Sequence, residues 1–248
     1  KIGRMTIPLV PSAIIFDLDL ASHLVRPNAD NGYAAAEVAS KGTATGTVGA
    51  GAGATVGKLH GKQLSIKSGL GTASVRLGDD IVVGALVVMN AIGSVVDPDT
   101  GTVVAGPRTN DGFENTLDVL VDDPPRMRDL MGLRNSSNTV IGVMATNVGM
   151  DKKAAIRFAA AGQDAIAMSV RPAHMAGDGD TVFALATGKH PKLSGEDAIA
   201  GIEDRLRAAA MRAMVSAIQS SIENSTGLAG VPSATEHLAE ISAGATND

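Results

Sequence analysis

Apolar positions along this chain gather into runs separated by Gly-, Asp- and Pro-containing breaks, and the spacing inside each run predicts an element. Ile14-Ile15-Phe16 reads as a short strand. Residues 30–40 are Ala-rich and read as a helix, capped near Asn28 or Asp30. Residues 65–77 and 81–96 read as strands. The second is nearly continuous in apolar residues, which predicts burial on both faces as a strand pair or one long strand. Asp97-Pro98-Asp99-Thr100-Gly101 is a turn. Residues 117–121 read as a strand, followed by Asp122-Asp123-Pro124-Pro125 and a short helix to about residue 133. Residues 134–138 are polar and read as an exposed segment.

Thr139 opens a second well-defined apolar run, a strand to about residue 146. A helix over 151–161, strands over 165–170 and 181–186, and a long helix over 194–223 complete the pattern. Ser194 and Asp197 have capping-box spacing. Ile202, Leu206, Ala209, Ala213, Ala217 and Ile218 recur at helical spacing and predict the inner face. Met89-Asn90-Ala91-Ile92-Gly93 and Thr146-Asn147-Val148-Gly149 end their strands alike, which hints at a duplicated unit. The irregular alternation of strands and helices predicts stacked sheets flanked by helices.

Composition narrows the function classes. The 248 residues suffice for one substantial domain or two small ones. Hydrophobic residues make up 44%, yet Trp is absent and only four Phe and one Tyr occur. A core of small aliphatic side chains suits closely packed strands and Ala-rich helices. Net charge is −5 without a basic run, and there is no aromatic platform for bases, so nucleic acid is not an expected partner. The longest apolar stretch, 81–96, is too short to span a bilayer and contains Asn90 and Ser94, so no membrane partner is expected. Cysteine is absent, which excludes disulfides and thiolate metal sites and fits a cytoplasmic enzyme. No secretory signal is visible, and a chain opening at Lys1 reads as a fragment of a longer gene product.

The candidate chemistry centres on Asn138-Thr139, where a polar segment meets an apolar strand. Scission before Thr139 would place a hydroxyl nucleophile and an amine base on one residue. The dipeptide also occurs as Asn115-Thr116, to which no role is assigned. Residues 42–57 are rich in Gly, Ala and Thr and lead to Lys58. They imitate a phosphate-binding loop but fail it at Ala52 and Leu59, leaving either a lysine delivered to a strand end or a surface lysine closing a loop. Asn90 lies inside an apolar run, where its amide is either a satisfied core group or a donor aimed at an oxyanion. Asp178-Gly179-Asp180-Thr181 is either a turn or a carboxylate pair that holds a terminal ammonium and orients a hydroxyl. No third metal ligand is near in sequence, and His23, His60, His174, His190 and His237 read as scattered surface or loop residues. A rival reading comes from Ile14-Ile15-Phe16-Asp17-Leu18-Asp19, which imitates the nucleophile strand of haloacid-dehalogenase-like phosphatases, with Leu77-Gly78-Asp79-Asp80 and Lys58 as further parts. Leu20-Ala21 stand where that family has Gly-Thr.

Five segments, in order along nearly the whole chain, carry a stronger resemblance. They are residues 48–58 ending in Val56-Gly57-Lys58, Gly71-Thr72-Ala73-Ser74, and residues 83–91 around Met89-Asn90-Ala91. Asn138-Thr139-Val140-Ile141-Gly142 with its continuation to Asn147, and Arg171-Pro172 with Asp178-Gly179-Asp180-Thr181 and its continuation to Gly188, complete the set. Together they resemble the self-processing aminopeptidases typified by L-aminopeptidase/D-esterase and the β-aminopeptidases. Thr as nucleophile and the Asp-Gly-Asp pair are most similar to the nylon-oligomer (6-aminohexanoate-oligomer) endohydrolases. The resemblance implies an α/β fold, a four-layered αββα sandwich similar to N-terminal-nucleophile hydrolases but differently connected. It implies one hydrolase domain cut into 1–138 and 139–248, with Thr139 as nucleophile and Lys58, Asn90, Asp178 and Asp180 around it. A linear amide substrate, no cofactor or metal, and a homo-oligomer, a tetramer, follow from the same resemblance. Near neutral pH the α-amine of Thr139 would be the base and Lys58 would stay cationic. Family members carry a section ahead of the Ile7-Pro8-Leu9-Val10-Pro11 segment, which this chain lacks.

Overall fold

In chain order the elements are α1 (Ala29–Glu37), β1 (Thr55–Val56), β2 (Ile66–Lys67), β3 (Leu70–Leu77), β4 (Ile81–Asn90), β5 (Ser94–Val96), β6 (Val103–Ala105), α2 (Thr116–Asp122), β7 (Thr139–Thr146), α3 (Lys152–Ser169), β8 (Val170–Arg171), β9 (Thr181–Ala186), α4 (Glu203–Glu223) and α5 (Ala234–Gly244). The computed structural model describes residues 4, 5, 7, 10–39, 42–78, 80–122, 138–193, 199 and 201–245. The main sheet runs in the order β3-β4-β7-β9. Its first two pairings are antiparallel and β7–β9 is parallel. Two small sheets, β1-β2 and β6-β5-β8, flank it.

Helices α3 and α4 cover one face of the main sheet, meeting side chains that alternate along the strands. Ile81, Val83, Ala85, Val87 and Met89 of β4 are buried toward them, as are Val140 and Met144 of β7. Phe158, Leu206, Met214 and Ile218 answer from the helices. Each fully buried Val, Ile, Leu, Met or Phe side chain among these contributes about 1.5–3 kcal/mol. Small residues set the spacing: a Cβ at Gly71 would lie 1.9 Å from the Ala217 carbonyl oxygen, so β3 and α4 approach to backbone contact. The Ala-rich, aromatic-poor composition thus builds a close sheet–helix contact. No helix among the described residues is long and apolar enough to cross a membrane.

Several elements match the apolar pattern. Strand β7 spans Thr139–Thr146, β9 spans Thr181–Ala186, and α1 begins after an Asn28 cap that forms a capping box with Asn31. Leu206, Ala209, Ala213, Ala217 and Ile218 form the buried face of α4. Other readings are corrected. Residues 14–16 form no strand, and 117–121 lie in α2, whose first turn is met by the Asn115 side chain accepting from Leu117 N at 3.2 Å. Residues 165–169 continue α3, capped by Asp151 at the Ala154 N–H, because a short apolar run does not separate a buried helix from a strand. The 65–77 strand breaks after Lys67, and the 81–96 run divides between two sheets. Strand β4 is not buried on both faces along its length: Val82, Gly84 and Leu86 are half-exposed on the face away from the helices. The short helix to residue 133 and the Ser194–Asp197 capping box lie outside the described residues. Helix α5 was not foreseen, although Ser233 and Glu236 form its capping box.

Candidate active site

Three strand ends converge at Thr139. It is the first residue of β7, and the last residue of β4, Asn90, lies directly opposite it in the antiparallel register. Directly opposed residues hold their Cβ atoms about 4.5–5.5 Å apart. One residue earlier, Asn138 bridges to Asp178 in parallel register, so the segment leading into β9 lies on the other side. The Thr139 hydroxyl donates to the Asn138 carbonyl oxygen at 2.6 Å. Gly179 N–H donates to that same oxygen at 2.8 Å. A Cβ at Gly179 would lie 2.9 Å from Thr139 Oγ1, closer than side chains tolerate, which explains why a glycine separates the two aspartates.

Lys58 enters from the glycine-rich side. Gly57 takes a positive φ of 68°, and the N–H groups of Gly57 and Lys58 donate to the carbonyls of Gly93 and Ile92 at 3.2 and 3.1 Å. The chain thereby turns inward and buries the lysine, which is 3% exposed. Its Nζ donates to Asn90 O at 2.9 Å and Asn90 Oδ1 at 2.8 Å. Burial, aided by the Lys62 charge, pulls the Lys58 amine down from 10.5 to about 7, while Asp178, Asp17 and Asp19 oppose the shift. The expectation of a cationic Lys58 is therefore corrected: neutral and charged forms coexist near neutral pH.

The Asn90 carboxamide oxygen also accepts Thr55 N–H at 3.3 Å, and its NH2 donates to Phe16 O at 3.3 Å. Asp180 Oδ1 accepts Val140 N–H at 2.7 Å, and Oδ2 sits 2.8 Å from His174 Nδ1. Asp178 Oδ2 accepts Met175 N–H at 2.9 Å. Its Oδ1 is buried with no hydrogen-bond partner among the described residues. Burial raises the Asp178 pKa; the Met175 N–H opposes this and the Asp180 charge adds to it.

The fold thus brings Lys58, Asn90, Thr139, Asp178 and Asp180 into one cluster. Three neighbours were not foreseen there. Gly179 contributes a backbone donor, His174 contacts Asp180, and Asp17 lies against Gly53, where a Cβ would come within 1.9 Å of its Oδ2. Gly179 and Asp17 fall within motifs of the sequence, but neither contact is signalled there, and His174 reads only as a surface or loop residue. The phosphatase reading fails on distance. Asp80 precedes the first residue of β4 and Lys58 binds the last, Asn90, so about 30 Å of strand separates them at 3.3 Å per residue. Asp79 lies outside the described residues.

The sequence profile described as Peptidase family S58 matches residues 1–235. The chain belongs to peptidase family S58. An uncharacterized aminopeptidase of Mycobacterium leprae is 40% identical over 196 residues, covering 73% of this chain and 50% of the relative. The 6-aminohexanoate-oligomer endohydrolase of Paenarthrobacter ureafaciens is 33% identical over 195 residues, covering 75% and 52%. The chain therefore spans about half the length of these S58 relatives. The L-aminopeptidase D-Ala-esterase/amidase of Ochrobactrum anthropi, whose structure is described as a variant of the Ntn-hydrolase fold, matches at a TM-score of 0.56 and 20% identity, covering 88% of this chain and 57% of that one. This S58 chain has that α/β fold, as the resemblance implied.

Proposed function

We propose that this S58 chain is a self-processing amide hydrolase in which Thr139 cuts the Asn138–Thr139 bond and then serves as the N-terminal nucleophile. The contact that carries this reading is the Thr139 hydroxyl at 2.6 Å from the Asn138 carbonyl oxygen, which Gly179 N–H also meets. Before scission Thr139 has no free amine, so another base is required. Neutral Lys58, held by Asn90 opposite Thr139, takes the hydroxyl proton as Oγ1 attacks the Asn138 carbonyl carbon. The tetrahedral oxyanion is met by Gly179 N–H. The C–N bond breaks, the proton passes to the departing Thr139 nitrogen, and an ester links Asn138 to Thr139. Water cleaves that ester, leaving an Asn138 carboxylate and a free Thr139 amine.

A free α-amine titrates near about 7.7–8.0, so in the processed enzyme it takes the Thr139 proton itself during attack on a substrate amide. In this reading Asp178, whose Oδ1 has no hydrogen-bond partner among the described residues, receives the resulting ammonium, Asp180 holds the strand through Val140, and Asn90 supplies a side-chain donor to the substrate oxyanion. No cofactor is required. The fragments 1–138 and 139–248 stay together as one domain, in a cytoplasmic homo-oligomer, a tetramer.

Two substrate readings stand. The resemblance and the Paenarthrobacter relative point to 6-aminohexanoate oligomers. Asp17 favours an aminopeptidase acting on α- or β-peptides: its carboxylate lies against Gly53 and within electrostatic reach of Lys58, supplying the anion that a substrate amine requires. Intact mass spectrometry followed by incubation with 6-aminohexanoate oligomers and β-alanyl peptides tests both levels. An uncut chain that hydrolyses amides would overturn the nucleophile; release of β-alanine without attack on the oligomers would select the aminopeptidase.

A further inference from the structure

Lys67 is the one charged side chain among the described residues with no exposed surface, and the proposed mechanism does not use it. It lies in β2, directly opposite Thr55 of β1. Its Nζ donates to three backbone carbonyls, Gly51 at 3.0 Å, Ala54 at 2.8 Å, and Ser68. Three acceptors match the three N–H donors of an ammonium, whereas a neutral amine would leave one carbonyl facing a lone pair. Burial lowers Lys67 from 10.5 to about 8, with Asp17 opposing, so the ammonium still prevails at pH 7. An uncompensated buried ammonium would be too costly to keep, and these carbonyls provide the compensation.

The Ala54 carbonyl belongs to the same peptide unit as the Thr55 N–H, and that N–H donates to Asn90 Oδ1. The peptide plane links the two contacts, so the ammonium on one side, together with the Ser68 N–H that donates to the same Ala54 carbonyl at 3.1 Å, holds the direction of the donor on the other. Asn90 Oδ1 then sits between Thr55 N–H and Lys58 Nζ, which sets the orientation of the whole carboxamide. Shape alone does not decide which end of an amide points where; its partners do. The opposite orientation would turn oxygen, not NH2, toward the Phe16 carbonyl that the NH2 now meets at 3.3 Å, and would leave the proposed oxyanion role without its donor.

We infer that Lys67 is a positioning residue for hydrolysis at Thr139, holding the Ala54–Thr55 peptide so that Asn90 keeps its oxygen on Lys58 and its NH2 on the opposite side. This rests on the proposed role of Asn90. The bland alternative is a lysine that merely closes the glycine-rich loop, and it predicts lower stability without a selective effect on turnover.

A double-mutant cycle separates the two in the full chain, read with a β-alanyl peptide. Lys67→Met should lower kcat about tenfold or more with KM little changed, as expected when a catalytic group is misplaced from a distance. In the Asn90→Ala background the same substitution should cost no further turnover, while its loss of thermal stability persists. Wild-type kcat in folded Lys67→Met, or losses that multiply in the double variant, would overturn the inference. Should Lys67→Met not fold, Lys67→Gln, which retains N–H donors on a shorter stem, carries the same cycle. Failure of both to fold would assign Lys67 to folding alone and also overturn it. Near wild-type turnover in Asn90→Ala by itself would instead refute the parent role of Asn90.

Discussion

Gly179 donates its backbone N–H to the Asn138 carbonyl oxygen at 2.8 Å, and that same oxygen accepts the Thr139 hydroxyl at 2.6 Å. Two residues remote in sequence thus meet because β7 and β9 run parallel in register, with Asn138 and Asp178 bridged just before the strands begin. The bond proposed for scission already carries a hydrogen-bond donor on its carbonyl before any reaction occurs.

Thr139→Ala should remain a single uncut chain without amidase activity. Intact mass spectrometry reads the first outcome and release of amine from an oligoamide the second. A cut and active Thr139→Ala protein would end the proposal.

Gly179→Ala places a methyl 2.9 Å from Thr139 Oγ1, so the hydroxyl must shift to make room. Self-cleavage should slow by about a hundredfold, the cost expected for a small misplacement of reacting groups. Following the uncut band over time after expression checks this, and an unchanged rate would show that the hydroxyl works from elsewhere.

The pH dependence follows from Lys58. Only its neutral form accepts a proton, and that fraction grows as pH rises through about 7, so self-cleavage should accelerate with pH and level off above that value. Stability has the same sign. Between the folded value of about 7 and the unfolded 10.5, the unfolded chain binds more protons, so Lys58 favours folding more as pH rises across this window. Urea melts of an uncleavable Thr139→Ala chain with and without Lys58→Met should differ in slope between pH 7 and 9.

Asn90→Ala should reduce kcat by about a hundredfold if its NH2 meets the substrate oxyanion. Steady-state kinetics on processed enzyme decides this, and a change confined to KM would move Asn90 out of the transition state.

Asp17→Asn separates the substrate readings. An aminopeptidase should lose affinity for substrates with a free amine while N-acetylated analogues are unaffected. An endohydrolase cutting within oligomers should show little change in either.

Much of the site was legible because its residues break local rules. A threonine opening an apolar strand, an asparagine closing another, a lysine after a glycine-rich stretch and two aspartates around one glycine each conflict with their surroundings. Gly179 as donor, His174 on Asp180 and Lys67 under the glycine-rich loop were not legible, because backbone donors leave no residue signature and His174 and Lys67 occupy unremarkable positions in sequence. Among the elements, β7 and β9 followed from bounded apolar runs, whereas residues 165–169 did not, since a short apolar run is consistent with either a strand or a buried helix.

The sequence by itself determined which residue types were present, where the long apolar strands lay, and that small side chains would permit close layers. Tertiary structure decided that Asn90 faces Thr139, that Asp178 bridges Asn138, and that Lys58 is buried deeply enough to titrate near 7. The physical reason is that local pattern depends on side-chain periodicity, whereas proximity and proton affinity depend on strand register and on the exclusion of water, and both arise only when distant segments pair.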